Sequence, residues 1–175
     1  SSDLFYFRKI VFAEKFPNDI KLKNREFDLI FVGKDKRRMA QIVKLNEYLI
    51  KRGVTFFIGI CPDKGISYSR EYERFLMQPI PYNKYIDYLR HSRCVVDIVQ
   101  EGQAGLTLRI MEALFYNKKI ITNNSTIHDM KIFDKRNIYI LGVDDRNLVE
   151  FIKGPVYEWD KEIKNRYTFE AWMHR

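Results

Sequence analysis

The sequence predicts an α/β domain: one parallel sheet of five or six strands, with helices packed on both faces. Three observations predict it. Strand-like and helix-like patterns alternate along residues 28–153, and the connections between them are short. The strand-like runs are apolar on successive residues, as strands buried on both faces are. Strands separated by helices form right-handed βαβ units, which place neighbouring strands parallel. The expected arrangement is Rossmann-like.

The elements follow in order. Asp28-Leu29-Ile30-Phe31-Val32 is a buried strand stopped at Gly33. Over residues 36–52, Met39, Ile42, Val43, Leu49 and Ile50 share one helical face, lysines and arginines fill the other, and Gly53 ends the helix. Residues 54–60, VTFFIGI, form a second strand, 61–69 a loop, and 72–76 a helical or irregular stretch. Residues 77–80 read as a short third strand stopped by Pro81. Asn83 then caps a helix reaching His91, with Tyr85, Ile86 and Leu89 as its buried stripe. A fourth strand covers 94–99, and a loop covers 100–105. The next helix, 107–116, turns Leu106, Ile110, Ala113 and Leu114 inward. Strands at 119–122 and 137–141 and a helix at 147–153 complete the pattern. Residues 1–27 and 154–175 fit the alternation poorly and read as flanking segments.

The chain has 175 residues, enough for one domain, and 46% of them are hydrophobic, enough for a sizeable core. Net charge is +8 and the pI about 9.4, which favours polyanionic partners: phosphorylated ligands, nucleic acid or anionic lipid. A generally basic, soluble surface explains the charge equally well. Cys61 and Cys94 stand in no paired motif, which points to a reducing compartment and to Cys94 as a core residue. His91, His128 and His174 have no partner at ligand spacing, so no metal site is expected. No apolar run approaches the ~20 residues that span a bilayer. The chain begins Ser1-Ser2-Asp3, which points to a piece of a longer protein.

In an open parallel sheet the ligand lies beyond the carboxyl ends of the strands, near the switch in strand order. The loops after Val32, Ile60, Ile80, Val99 and Thr122 are therefore the places for chemistry. The first reads Val32-Gly33-Lys34-Asp35-Lys36-Arg37-Arg38. Glycine lets backbone approach a ligand, and four cations in a first helical turn oppose the helix dipole unless something anionic relieves them. A solvated lysine-rich turn is the plainer reading. It is not a GxGxxG element, which argues against a standard NAD domain.

The loop and helix from Gln100 to Leu114 place Gly102 and Gly105 before a helix, where free amides can face a phosphate. Arg109 and Glu112 are three apart: they pair with each other, or Arg109 meets phosphate while Glu112 accepts two hydrogen bonds from a ribose. Tyr82, after Ile80 and Pro81, stacks on a base or packs beside a helix cap. Asn123-Asn124-Ser125 touches a ligand or is an ordinary turn.

On these stretches the chain resembles a known family. VGKDKRR resembles the strand-Gly-Arg-Lys element of retaining GT-B glycosyltransferases, and GLTLRIMEALFYNKKIITNN their Gly-Leu to Glu-Ala segment. The run VVDIVQEGQAGLTLRIMEALFYNKKIITNN, with IFDKRNIYIL, is similar to bacterial transferases of lipopolysaccharide or capsular polysaccharide biosynthesis. The resemblance spans roughly residues 28–152. It implies the donor-binding C-terminal lobe of a hexosyltransferase-like enzyme. Gly33, Lys34, Lys36 and Arg37 hold the diphosphate together with Gly105, Leu106, Thr107 and Arg109. Glu112 binds the ribose, and Ile80 and Tyr82 face the base. Eight residues before Glu112, where such enzymes carry a sugar-contacting glutamate, stands Ala104; Glu101 and Gln103 are out of register.

The resemblance further implies a nucleotide-sugar as substrate, with no cofactor and no metal. The glycan or glycolipid acceptor is met through an N-terminal lobe outside this chain, so the chain alone is expected to bind without turnover, and no catalytic residue is assigned. A cytoplasmic place is expected, at the inner face of the plasma membrane. Contact with anionic lipid there falls to the basic stretch holding Lys9, Lys15, Lys21, Lys23 and Arg25. The rival classes are a non-enzymatic flavodoxin-like module and a polyanion-binding module. Asp28 stands alone without the acidic cluster of a phosphoacceptor domain, and nucleic acid is disfavoured as partner.

Overall fold

The computed structural model describes residues 27–100, 102–103 and 105–168. The basic stretch from Lys9 to Arg25, Glu101, Ala104 and His174 lie outside the described residues. The sheet has five strands, β1 (Phe27–Lys34), β2 (Phe56–Cys61), β3 (Ser92–Asp97), β4 (Lys119–Thr122) and β5 (Ile138–Ile140). All pair in parallel, in the order β2-β1-β3-β4-β5. The helices are α1 (Met39–Ile50), α2 (Arg70–Glu73), α3 (Tyr82–Arg90), α4 (Leu108–Phe115), α5 (Leu148–Lys153) and α6 (Lys161–Arg166), with a 3₁₀ turn at Ser125–Asp129.

Strand periodicity divides the core in two. Leu29 and Phe31 of β1, Cys94 and Val96 of β3 and Ile121 of β4 face α1 and α5, meeting Ile42, Leu49 and Ile152. Ile30, Val95, Ile120 and Ile138 face α3 and α4, meeting Ile86, Leu89, Ile110 and Leu114. These four are register partners across β1, β3, β4 and β5, so one row of β-branched side chains crosses the sheet. All four are buried, and truncating one to alanine costs about 2–4 kcal/mol. Trp159, Ile163 and Tyr167 add to the second core: Trp159 is almost wholly buried, and its indole N–H donates to the Lys118 carbonyl at 2.9 Å.

Four expectations are corrected. Residues 77–80 form no strand. Ile60 makes a single parallel bridge to Leu76, and the ladder stops because Pro79 and Pro81 lack N–H groups. That bridge stands where a sixth strand would extend the sheet beyond β2. The helix drawn over 36–52 starts at Met39, because Lys36 and Arg37 have φ of 46° and 61° and cannot join a right-handed helix. Within it Ile50 is exposed, and Asn46 is buried in its place, in step with Met39, Ile42, Val43 and Leu49. Asn83 does not cap α3: Pro81 holds the cap position with extended backbone, and Asn83 lies in the first turn.

Candidate functional site

Strand order reverses at β1, whose neighbours β2 and β3 lie on opposite sides, so the β1/β3 crevice is the switch point of the sheet. Two segments meet beyond its carboxyl end: the loop after β1, and the loop and helix after β3.

The first segment is a tight turn. The Arg38 N–H donates to the Asp35 carbonyl at 2.9 Å, with Lys36 and Arg37 between them at positive φ, the pattern of a type I′ turn. Such backbone costs a residue other than glycine about 1–2 kcal/mol. Asp35 holds the turn in place. Its Oδ1 accepts the N–H groups of Arg38 (2.9 Å) and Met39 (2.7 Å), and its Oδ2 accepts the Tyr68 hydroxyl (2.8 Å). The anion that relieves the basic start of α1 is therefore a side chain of this turn. Arg38 is folded inward, donating to the carbonyls of Asp35 (3.0 Å), Ile98 (2.6 Å) and Lys34 (2.7 Å). Burial and the nearby Arg109 charge push its guanidinium down to about 10, so it remains charged at neutral pH. Lys34, Lys36 and Arg37 stay exposed.

In the second segment, Thr107 caps α4 by accepting the Ile110 N–H at 3.3 Å, and its hydroxyl donates to Asp97 at 2.9 Å. Asp97 ends β3, is 1% exposed, and also accepts the Thr122 hydroxyl at 3.4 Å. Burial pushes its pKa up, while Arg109, Thr107, Arg38 and Thr122 hold it back. Gly105 has φ 100°, a backbone state that favours glycine, and its carbonyl accepts Asn124 Nδ2 at 3.1 Å. Leu106 is half-buried against the second core.

Arg109 joins the two segments. Its Nη2 donates to the Val32 carbonyl at 2.7 Å, and its guanidinium lies 4.7 Å from the Phe31 ring centre, as Arg38 lies 5.2 Å from it. A Cβ at Gly33 would overlap Nη2. A side chain at 33 would therefore have to displace the Arg109 guanidinium. Among the described residues, Arg109 Nε has no hydrogen-bond partner although it is buried.

Glu112 lies deeper than its expected role implies. It is 4% exposed, and Tyr85 donates to its Oε2 at 2.6 Å. Burial pushes it up to about 7; Tyr85, Arg109 and Tyr82 hold it down, and Asp97 pushes it further up. Tyr82 is half-buried with its ring 6.0 Å from that of Tyr85, and Ile80 packs partly on the second core. Beside the crevice, a cleft of about 500 Å³ opens between Gln41 of α1, Gln100, Gln103, Asn123 and Ser125. Asn123 binds the Val99 N–H and C=O together, holding the β3 loop.

The structure thus brings Gly33, Thr107 and Arg109 together, keeps Lys34, Lys36 and Arg37 on the rim, and seats Glu112 behind Tyr85. Sequence reasoning missed Asp35, Arg38, Asp97 and Tyr85 as members of the site. A visible signal existed for two: Asp35 stands at capping distance before α1, and Asp97 is an acid within an apolar strand. Among the described residues no cluster of three or more His, Cys, Asp or Glu could hold a metal, and no helix is long and apolar enough to cross a membrane.

No protein-family model and no curated protein matches the chain. Fold and crevice define its class: a Rossmann-like α/β domain with a cation-rimmed switch point.

Proposed function

We propose that this chain is the nucleotide-sugar-binding lobe of a metal-independent glycosyltransferase that builds lipopolysaccharide or another cell-surface polysaccharide. One observation carries the reading. The two stretches that resemble that family meet at the switch point, where Arg109 of GLTLRIMEA binds the backbone of VGKDKRR across 77 residues of sequence.

In this reading the donor diphosphate lies at the rim of the crevice, between Lys34, Lys36 and Arg37 on one side and the Arg109 guanidinium, which covers Gly33, on the other. Amides of Gly105 to Thr107 add to them. These groups stabilise the charge that develops on the leaving diphosphate, the work a metal does elsewhere. Tyr82 and Ile80 flank the base. Glu112 is given no direct ribose contact, because its carboxylate accepts a tyrosine hydroxyl inside the domain. The acceptor, glycan or glycolipid, comes through a further lobe, in the cytoplasm beside the inner leaflet.

The strand order β2-β1-β3-β4-β5 is also that of flavodoxin-like domains, which favours a non-enzymatic binding module as the second reading. Calorimetric titration with a panel of nucleoside-diphosphate sugars and with duplex DNA, across a salt series, separates the readings. The donor reading expects saturable binding of at least one sugar nucleotide that outlasts moderate salt. Binding of DNA alone, lost steeply with salt, indicates a polyanion surface and overturns it.

A further inference from the structure

We infer that the crevice takes up a proton with its anion, and that Glu112, behind Tyr85, is where the proton goes. The inference rests on the donor reading for where the anion sits. Its basis is one cation with several dependants. Arg109 is the counter-charge felt by Asp97 of β3 and by Glu112 of α4, and it also acts on Tyr85 of α3. The two carboxylates are unequal. Asp97 has a second guanidinium, Arg38, and the hydroxyls of Thr107 and Thr122. Glu112 faces Tyr85 and Tyr82 from α3, Asp97 from β3 and Arg109 from its own helix, and among these Arg109 is the cation.

Glu112 is 4% exposed, so solvent does little to replace a counter-charge that is diverted. An anion seated on Arg109 offsets that charge, and the ionised form of Glu112 loses its support. The carboxylate then takes one proton from the buffer. The neutral acid fits the same place, because Tyr85 donates equally well to its carbonyl oxygen. Burial has already brought this group to about 7, so the exchange falls near neutrality.

Inorganic sulfate is a suitable probe, since it stays a dianion throughout the neutral range. Calorimetry at pH 7, in Tris and in imidazole, reads protons from the difference in heat. The expectation is uptake of up to about half a proton per sulfate, since a group titrating near 7 is half-protonated there. Affinity should fall several-fold from pH 6 to pH 8. In Glu112→Gln the uptake vanishes and the pH profile flattens. A ¹³C-carboxyl titration of unsubstituted protein, with and without sulfate, should show the Glu112 midpoint rising. Anion binding with identical heats in both buffers, or uptake that persists in Glu112→Gln, overturns the coupling and leaves the donor reading standing. Failure of both sulfate and sugar nucleotides to bind overturns both.

Discussion

Arg109 occupies the space above Gly33 that a side chain at that position would need, and binds the carbonyl of the residue before it. A helix residue is thereby fixed against a strand end 77 positions earlier. Gly33→Ala should displace the guanidinium and break this charged hydrogen bond. The expected loss of stability is about 1–3 kcal/mol in urea denaturation. Arg109→Ala should remove little more in the Gly33→Ala background than the shared interaction leaves. Fully additive effects would show that the two residues do not depend on each other.

Lys36 and Arg37 store strain at the rim of the crevice. Lys36→Gly removes a left-handed non-glycine residue and should raise stability by up to about 1 kcal/mol. The same change deletes a rim cation, so affinity for a diphosphate ligand should fall. Stability and affinity moving in opposite directions is the mark of strain held for function. A loss of both would place Lys36 in the fold alone.

The buried acid sets the pH dependence of folding. Glu112 is raised from 4.5 to about 7 in the folded chain, so its protonated form is the favoured one. Its contribution is fully present below about pH 4.5 and is lost as pH rises through 7. The shift corresponds to a loss of about 3 kcal/mol. Asp28, Asp134 and Asp144 are lowered and act oppositely: their contribution is present above the ordinary carboxylate range and is lost in acid. Stability should therefore peak in mildly acidic solution. Urea denaturation from pH 5 to pH 8 should show wild type weakening more steeply than Glu112→Gln, in which Asp97, raised in the same direction, is the remaining buried acid; parallel profiles would refute the assignment.

The sheet was largely legible because its signal is local. Residues 119–122 appear as a strand in both sequence and structure, an apolar β-branched pair set between lysines and asparagines. The stretch 77–80 misled because its composition suits a strand while two prolines deny it ladder donors. In the site, residue types were readable and their partners were not. Tyr85 reads as core stripe and is core, but its hydroxyl partner lies 27 residues away. The role of Asp35 depends on a left-handed turn that lysine and arginine do not announce. The Gly33–Arg109 contact depends on parallel packing that only the folded sheet supplies.

Calorimetric titration of wild type and Arg109→Ala with nucleoside-diphosphate sugars, in the presence of EDTA, decides whether the crevice is a donor site. Wild type should bind saturably without divalent metal. Affinity should fall about ten- to a hundredfold in the variant, from loss of charge-assisted bonds worth about 1.5–3 kcal/mol. Arg109→Lys, which keeps the charge without the planar fork, should fall between them. A strict requirement for manganese or magnesium, or wild-type affinity in Arg109→Ala, would contradict the donor reading.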